Sequence, residues 1–159
     1  MNKINIAELN SFLLDANANG YAGSGNEFTP PQRPEFDEIH YQKGDFVFHD
    51  SYAGHYFAPG QEIVYYKNQP IWAMAYAGGM EFEYHGDEKL THETIEFLKK
   101  ALMKMDPALP FRGPEKFEDG DWQYISTVTG DTKDFIGNEK IYHKNRLVFE
   151  QNFIGGIIV

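Results

Sequence analysis

Two stretches decide the reading of this chain: GDFVFHDSYAGHYFAPGQEIVYYKNQPIWAMAYAGGM, Gly44–Met80, and GDWQYISTVTGDTKDFIGNEKIYHKNRLVFEQNFIGGI, Gly120–Ile157. Laid over one another, Gly44-Asp45 meets Gly120-Asp121, Gly54 meets Gly130, Phe57 meets Phe135, Gly60 meets Gly137 and Glu62 meets Glu139. Tyr65, Lys67 and Asn68 then meet Tyr142, Lys144 and Asn145, and Gly78-Gly79 meets Gly155-Gly156. Conservative pairs fill the intervals: Phe46 with Trp122, Phe48 with Tyr124, Val64 with Ile141, Ile71 with Val148, Trp72 with Phe149, Tyr76 with Phe153. An order preserved over this length marks an internal duplication.

The repeat extends upstream, because each half is preceded by an amphipathic helix with a start signal. Ile4-Asn5 precedes Glu8-Leu9, and Leu90-Thr91 precedes Thr94-Ile95, giving each helix a cap at Asn5 or Thr91 and a hydrophobic staple. Ile6, Leu9, Phe12, Leu13 and Ala16 form one stripe; Ile95, Leu98, Leu102 and Met105 form the other. An Arg-Pro-Glu-Phe-like connector follows each helix, at Arg33–Phe36 and Arg112–Phe117. Three short strands then follow in each half, near Asp45 to Tyr52, Glu62 to Tyr66 and Ile71 to Ala77 and their counterparts, with turns at Lys67-Asn68 and Lys144-Asn145. The expected fold is therefore α+β: a two-fold repeat of a helix plus a three-stranded antiparallel meander, with the helices packed on antiparallel sheet. Residues 1–159 form one domain, with repeats at approximately 4–80 and 90–159.

Composition narrows the function classes. The chain has 159 residues, no cysteine and a formal charge of −10, with 24 acidic against 14 basic residues. Thiolate chemistry and disulfides are excluded, and a chain that repels phosphate is a poor binder of nucleic acid or anionic membrane. No basic segment with an apolar core opens the sequence, and no stretch approaches the ~20 apolar residues of a spanning helix, so the expected location is cytoplasmic. Aromatic residues make up 16% of the chain, more rigid apolar surface than a core of this size ordinarily uses, which leaves rings to line a pocket.

Alternation along the strands assigns the inner face. It carries Phe46, Phe48, Asp50 and Tyr52; then Glu62, Val64 and Tyr66; then Trp72, Met74 and Tyr76. In the second half it carries Trp122, Tyr124, Ser126 and Val128; then Glu139, Ile141 and His143; then Phe149, Gln151 and Phe153. Burying a carboxylate costs several kcal/mol unless it is paired or protonated. Asp50, Glu62 and Glu139 on an aromatic face therefore point to a pocket for a cationic or aromatic small molecule, with Tyr66, Trp72, Tyr76, Trp122 and His143 as further candidate ligand contacts. The competing reading places both glutamates at strand ends, salt-bridged or solvated.

Other features carry less. His49, Asp50 and His55 match no zinc spacing, so neither a metal nor another cofactor is expected. Gly20 to Glu27 is glycine-rich but follows a helix and lacks Gly-Lys-Ser/Thr, so it reads as an ordered connector rather than a phosphate cradle. The apolar run Phe153 to Val159 reads as completing the sheet or an interface with a second copy of the chain.

Taken together, Tyr21-Ala22-Gly23-x-Gly25-x-Glu27, Arg33-Pro34, Gly44-Asp45, Trp72-x-Met74-x-Tyr76-x-Gly78, Pro110-Phe111-Arg112-Gly113-Pro114 and Gly120-Asp121 resemble a bacterial domain family of unknown function. Its members often stand carboxy-terminal to the helix-turn-helix of Xre-type transcriptional regulators. The resemblance implies a sensor or partner domain rather than a DNA reader, and it brings no catalytic residues with it. This chain shows no helix-turn-helix segment of its own, its first helix leading straight into the duplicated unit. The leading expectation is a non-enzymatic small-molecule-binding domain. A protein-interaction or homodimerisation module and a carboxylate-based acid/base enzyme are the alternatives.

Overall fold

The structure, a computed structural model, describes residues 4–23 and 30–158. Ser24 to Glu27 of the glycine-rich stretch and Val159 of the terminal run lie outside the described residues. Helix α1 spans Ile6–Asn19 and α2 spans Glu88–Leu102. The strands are β1 (Asp37–Lys43), β2 (Phe46–Tyr52), β3 (Gly60–Tyr66), β4 (Gln69–Met80), β5 (Lys116–Asp119), β6 (Trp122–Asp131), β7 (Asp134–His143) and β8 (Arg146–Ile157). All eight form one antiparallel sheet in the order β1-β2-β3-β4-β8-β7-β6-β5.

This corrects the expected unit of one helix plus a three-stranded meander, repeated twice. Each side of the sheet contributes four strands, and among the described residues there are two α-helices and one short 3-10 turn at Phe82–Tyr84, so the fold is sheet-dominated. The strands missed are β1 and β5. β1 follows the first proline-marked connector, which hid the alternation of Ile39 and Tyr41, and β5, of only four residues, begins inside the second. The innermost strands are also longer than their apolar runs suggested, because β4 and β8 pair with each other from Trp72↔Ile157 to Met80↔Phe149. That seam is tight. A Cβ on Gly78 would lie 2.3 Å from the Gln151 Cα, and one on Gly155 would lie 2.3 Å from the Ala73 carbonyl oxygen. Glycine at these positions is a requirement of backbone approach.

The hairpin turns repeat the same backbone shape on both sides. Lys67 and Asn68 have φ of 50° and 63°, and Lys144 and Asn145 have 51° and 62°, the two consecutive left-handed residues of a type I′ turn. Asn5 caps α1, its Oδ1 accepting from the backbone of Ala7 and Glu8. The cap of α2 differs from the expectation at Thr91: Asp87 takes that place, accepting from the Leu90 N–H at 3.0 Å. Thr91 lies inside the helix, its hydroxyl donating back to the Asp87 carbonyl. An acid one turn upstream serves the positive helix end better than a hydroxyl does.

Both helices cover the face that alternation assigns inward. Leu9, Phe12, Leu13 and Ala16 of α1 pack with Phe48, Val64, Trp72 and Met74. Phe97, Leu98, Ala101 and Leu102 of α2 pack with Tyr124, Ile141, Val148 and Phe149. The Asn17 amide bridges the helices by donating to the Leu102 carbonyl at 3.0 Å.

Trp72 sits at the centre of this core, fully buried, stacked on Phe135 and donating its indole N–H to the Thr132 carbonyl at 3.0 Å. Trp72→Ala is expected to destabilise the fold by about 3–5 kcal/mol, read from the midpoint of urea unfolding.

Candidate functional site

A cavity of about 90 Å³ lies between the two helices and the sheet. Leu13 and Ala16 of α1 and Ile95, Leu98 and Leu102 of α2 form its walls. Its floor is the inner face of β2, β3, β4 and β8, which presents Phe48, Asp50, Glu62, Tyr76, Phe149 and Gln151. Tyr21, after α1, and Arg112, in the connector after α2, complete the lining; His55, itself largely exposed, reaches the solvent side.

The β-sheet register sets the carboxylates together. Asp50 on β2 is the cross-strand partner of Glu62 on β3, and Glu62 is the partner of Met74 on β4. Side chains directly opposite in an antiparallel pair are nearest neighbours on one face. Asp50 accepts a hydrogen bond from the Tyr76 hydroxyl at 2.8 Å. Glu139, one of the expected pocket acids, lies completely buried beneath the cavity and is saturated. It accepts from Arg112 Nε at 3.1 Å and Nη2, from the Tyr124 hydroxyl at 2.6 Å and from the Gln151 amide at 3.1 Å. Glu62 is different. Its side chain is only 12% exposed, its nearest cation is Arg112 Nη1 at 4.0 Å, and among the described residues it makes no hydrogen bond.

Charge is therefore unbalanced. Among the described residues Arg112 is the only lysine or arginine lining the cavity, and its guanidinium is engaged by Glu139. Burial works against the Arg112 charge, but the carboxylate of Glu139, with Tyr124 and Glu62 behind it, outweighs that and keeps the guanidinium protonated. Burial pushes the Asp50 carboxyl up to about 6, against the hydrogen bond from Tyr76, the charges of Arg112 and His49 and the backbone of Ser51. Glu62 is held well above the ordinary carboxylate range by burial first and by the charge of Asp50 next, with Glu139 adding and Arg112 opposing. Burial also raises the Tyr21 hydroxyl to about 12, so that it remains a neutral phenol. Such a pair can share a proton, pass one to a bound molecule, or hold a cation.

Of the residues expected at a site, Asp50, Glu62 and Tyr76 line the cavity, and Glu139 holds Arg112 in place below it. Tyr66, Trp72, Trp122 and His143 do not line it. Trp72 is core. Tyr66 pairs with Phe46 at 4.7 Å, and Trp122 stacks on His143 at 4.0 Å between rings, both at the far ends of the strands. Arg112 and Tyr21 lie in segments without strand alternation and were not assigned to the site. The charge count of the inner face was the available signal for Arg112, since three buried acids require a base. Of two other histidines, His55 at the solvent side of the cavity bonds Glu88 at 2.8 Å, and His49 bonds the buried Glu38 at 3.1 Å on the opposite face of the sheet.

The raised carboxyls fix a pH dependence. The folded chain retains protons that the unfolded chain releases, so the stabilisation is complete below the ordinary carboxylate range of about 4 and is lost as pH rises through about 6 and beyond. Glu88, Glu96 and Glu118 titrate lower, held down by hydrogen bonds from Tyr56, Lys99 and Gln123 respectively. The melting temperature is expected to fall between pH 5 and pH 8, and to fall less in the Asp50→Asn/Glu62→Gln double variant. Parallel pH profiles of the two proteins, measured by calorimetry, would remove this assignment.

No curated protein and no solved structure matches the sequence. Among the described residues no helix is long and apolar enough to cross a membrane. A family model, Domain of unknown function (DUF5680), matches residues 50–158, a span that holds β3, β4, α2, the Arg112 connector and all of β5 to β8 together with Asp50 and Glu62. The chain belongs to that family.

Proposed function

We propose that this chain is a non-enzymatic small-molecule-binding domain of the sensor type, cytoplasmic, with the cavity between α1, α2 and the sheet centre as its receptor. The observation that carries the reading is Glu62: a carboxylate withdrawn from water, lining a cavity, and left without a hydrogen-bond donor. Such a group costs stability in the empty protein, and a ligand that supplies the donor recovers that cost on binding. Aromatic and aliphatic walls around a few polar groups are the usual composition of small-molecule sites. The resemblance to domains that accompany helix-turn-helix regulators in bacteria agrees with a sensing role.

A second reading rests on a separate surface. Ile136 and Ile154 are cross-strand partners on the outer face of the sheet, each 56% exposed, and Ala75 stands opposite Ile154 on the neighbouring strand. An apolar strip of this kind suits an interaction module or self-association. Light scattering across a wide concentration range separates the cases, since a monomer throughout would remove self-association.

The receptor reading is tested by a thermal-shift screen against metal ions, nucleotides and a library of cationic and aromatic metabolites. A ligand that binds only the folded chain stabilises it by about 2.7 kcal/mol at a hundred times its Kd. A dose-dependent rise that disappears in Glu62→Gln is expected. A silent screen, or a rise that Glu62→Gln leaves intact, would overturn the assignment to this cavity.

A further inference from the structure

The two halves of the sheet provide an internal control for what Glu62 lacks. Glu139 and Glu62 occupy matching places: Glu139 stands between Ser126 and Gln151 across β6, β7 and β8, as Glu62 stands between Asp50 and Met74 across β2, β3 and β4. Every donor that satisfies Glu139 is missing on the Glu62 side. The place of Tyr124, opposite Ile141, is held by Phe48, opposite Val64, which has no hydroxyl. The place of Gln151 is held by Met74, which has no amide. Arg33, in the connector that corresponds to that of Arg112, lies over the Phe36 ring and donates to Ser51 instead. The remaining difference adds a charge, since Asp50 stands where the second half has Ser126.

All four differences act in one direction: they remove donors and add an acceptor. A structural carboxylate would be equipped as Glu139 is; the Glu62 side is equipped to receive donors from outside the chain. We infer that the cavity takes a small organic ammonium, a primary amine with a short apolar body, held between Asp50 and Glu62. This deepens the receptor reading and rests on it. An ammonium carries three donors. Asp50 and Glu62 accept two, and the Tyr76 hydroxyl oxygen, whose proton goes to Asp50, is placed for the third. The apolar body fits against Leu13 and Leu98 on the helix side. An organic cation suits the site better than a metal ion. Among the described residues no group of three or more His, Asp or Glu could hold a metal, and Asn17, the polar side chain that α1 adds to the wall, has its amide committed to the Leu102 carbonyl. An anion is disfavoured because Arg112 is already engaged.

The test uses isopentylamine, isopentyl alcohol and isovalerate, which share a branched apolar body, titrated calorimetrically into the intact protein at pH 8 up to tens of millimolar. The amine is expected to bind about 10- to 100-fold more tightly than the alcohol, the ratio that a hydrogen bond to a charged group confers, and isovalerate is expected not to bind. Alcohol binding as tight as the amine, or isovalerate binding better, overturns the ammonium inference and leaves the cavity reading standing. Absence of binding by all three overturns the ammonium inference, and the receptor reading falls with it when the thermal-shift screen is silent as well. A second variant keeps the result independent of folding defects: Phe48→Tyr/Met74→Gln gives Glu62 counterparts of the tyrosine and glutamine donors that Glu139 has. It is expected to raise the melting temperature of the empty protein and to lose amine affinity by the same 10- to 100-fold. A folded double variant that binds the amine as the original chain does overturns the inference.

Discussion

The pairing of β4 with β8 makes one sheet out of two four-stranded meanders, and the remaining architecture follows from it. Gly78 and Gly155 permit the backbones to meet there, since a Cβ at either would run into the facing strand. With the seam closed, the inner face runs without a break from Phe48 on one side to Tyr124 on the other, wider than a single helix can cover. Each helix takes the half nearest its own meander, α1 against Phe48 and Val64, α2 against Tyr124 and Ile141. The cavity is the space over the middle that neither helix fills. Its position at the seam is therefore a consequence of the sheet's width rather than of any residue that lines it.

The ion pair of Arg112 with Glu139 closes this arrangement from the connector side. Replacing one partner of such a pair strands a buried charge, at a cost of about 3–5 kcal/mol, so the pair holds the connector against the sheet even where its net contribution is small. It also fixes the electrostatics of the cavity. With its guanidinium committed to Glu139, Arg112 remains 4.0 Å from Glu62 and cannot neutralise both Asp50 and Glu62. The same chain thus presents one glutamate as a finished structural element and its counterpart as an unfinished one, and the contrast lies in the side chains of Phe48, Met74 and Asp50 rather than in the backbone.

Much of this was legible in the alternation of side chains. A period of two settles which face of each strand is apolar, so Phe48, Val64, Trp72, Met74, Ile141 and Phe149 were assigned to the core side on which the structure buries them. The same rule put Asp50, Glu62, Tyr76 and Glu139 together on that face. It could not separate them from Tyr66, Trp72, Trp122 and His143, because alternation gives a side chain its face and not its height along the strand or its distance from a helix. Trp72 reads as a ligand contact because it is large and aromatic, yet the rings of Phe111 and Phe135 pack on it and it is fully buried. The strands β1 and β5 were lost in segments whose prolines read as connectors.

What the sequence by itself determined is the set of local conformations and faces: the capped amphipathic helix α1, the left-handed turns at Lys67-Asn68 and Lys144-Asn145, and an inner face with more acid than an apolar surface tolerates. These depend on neighbours a few residues apart, and periodicity reports them directly. Tertiary structure decided which acid is paired and which is not. That outcome turns on where Arg112 arrives from a segment without periodic pattern, and it is set by long-range packing, which no local pattern encodes.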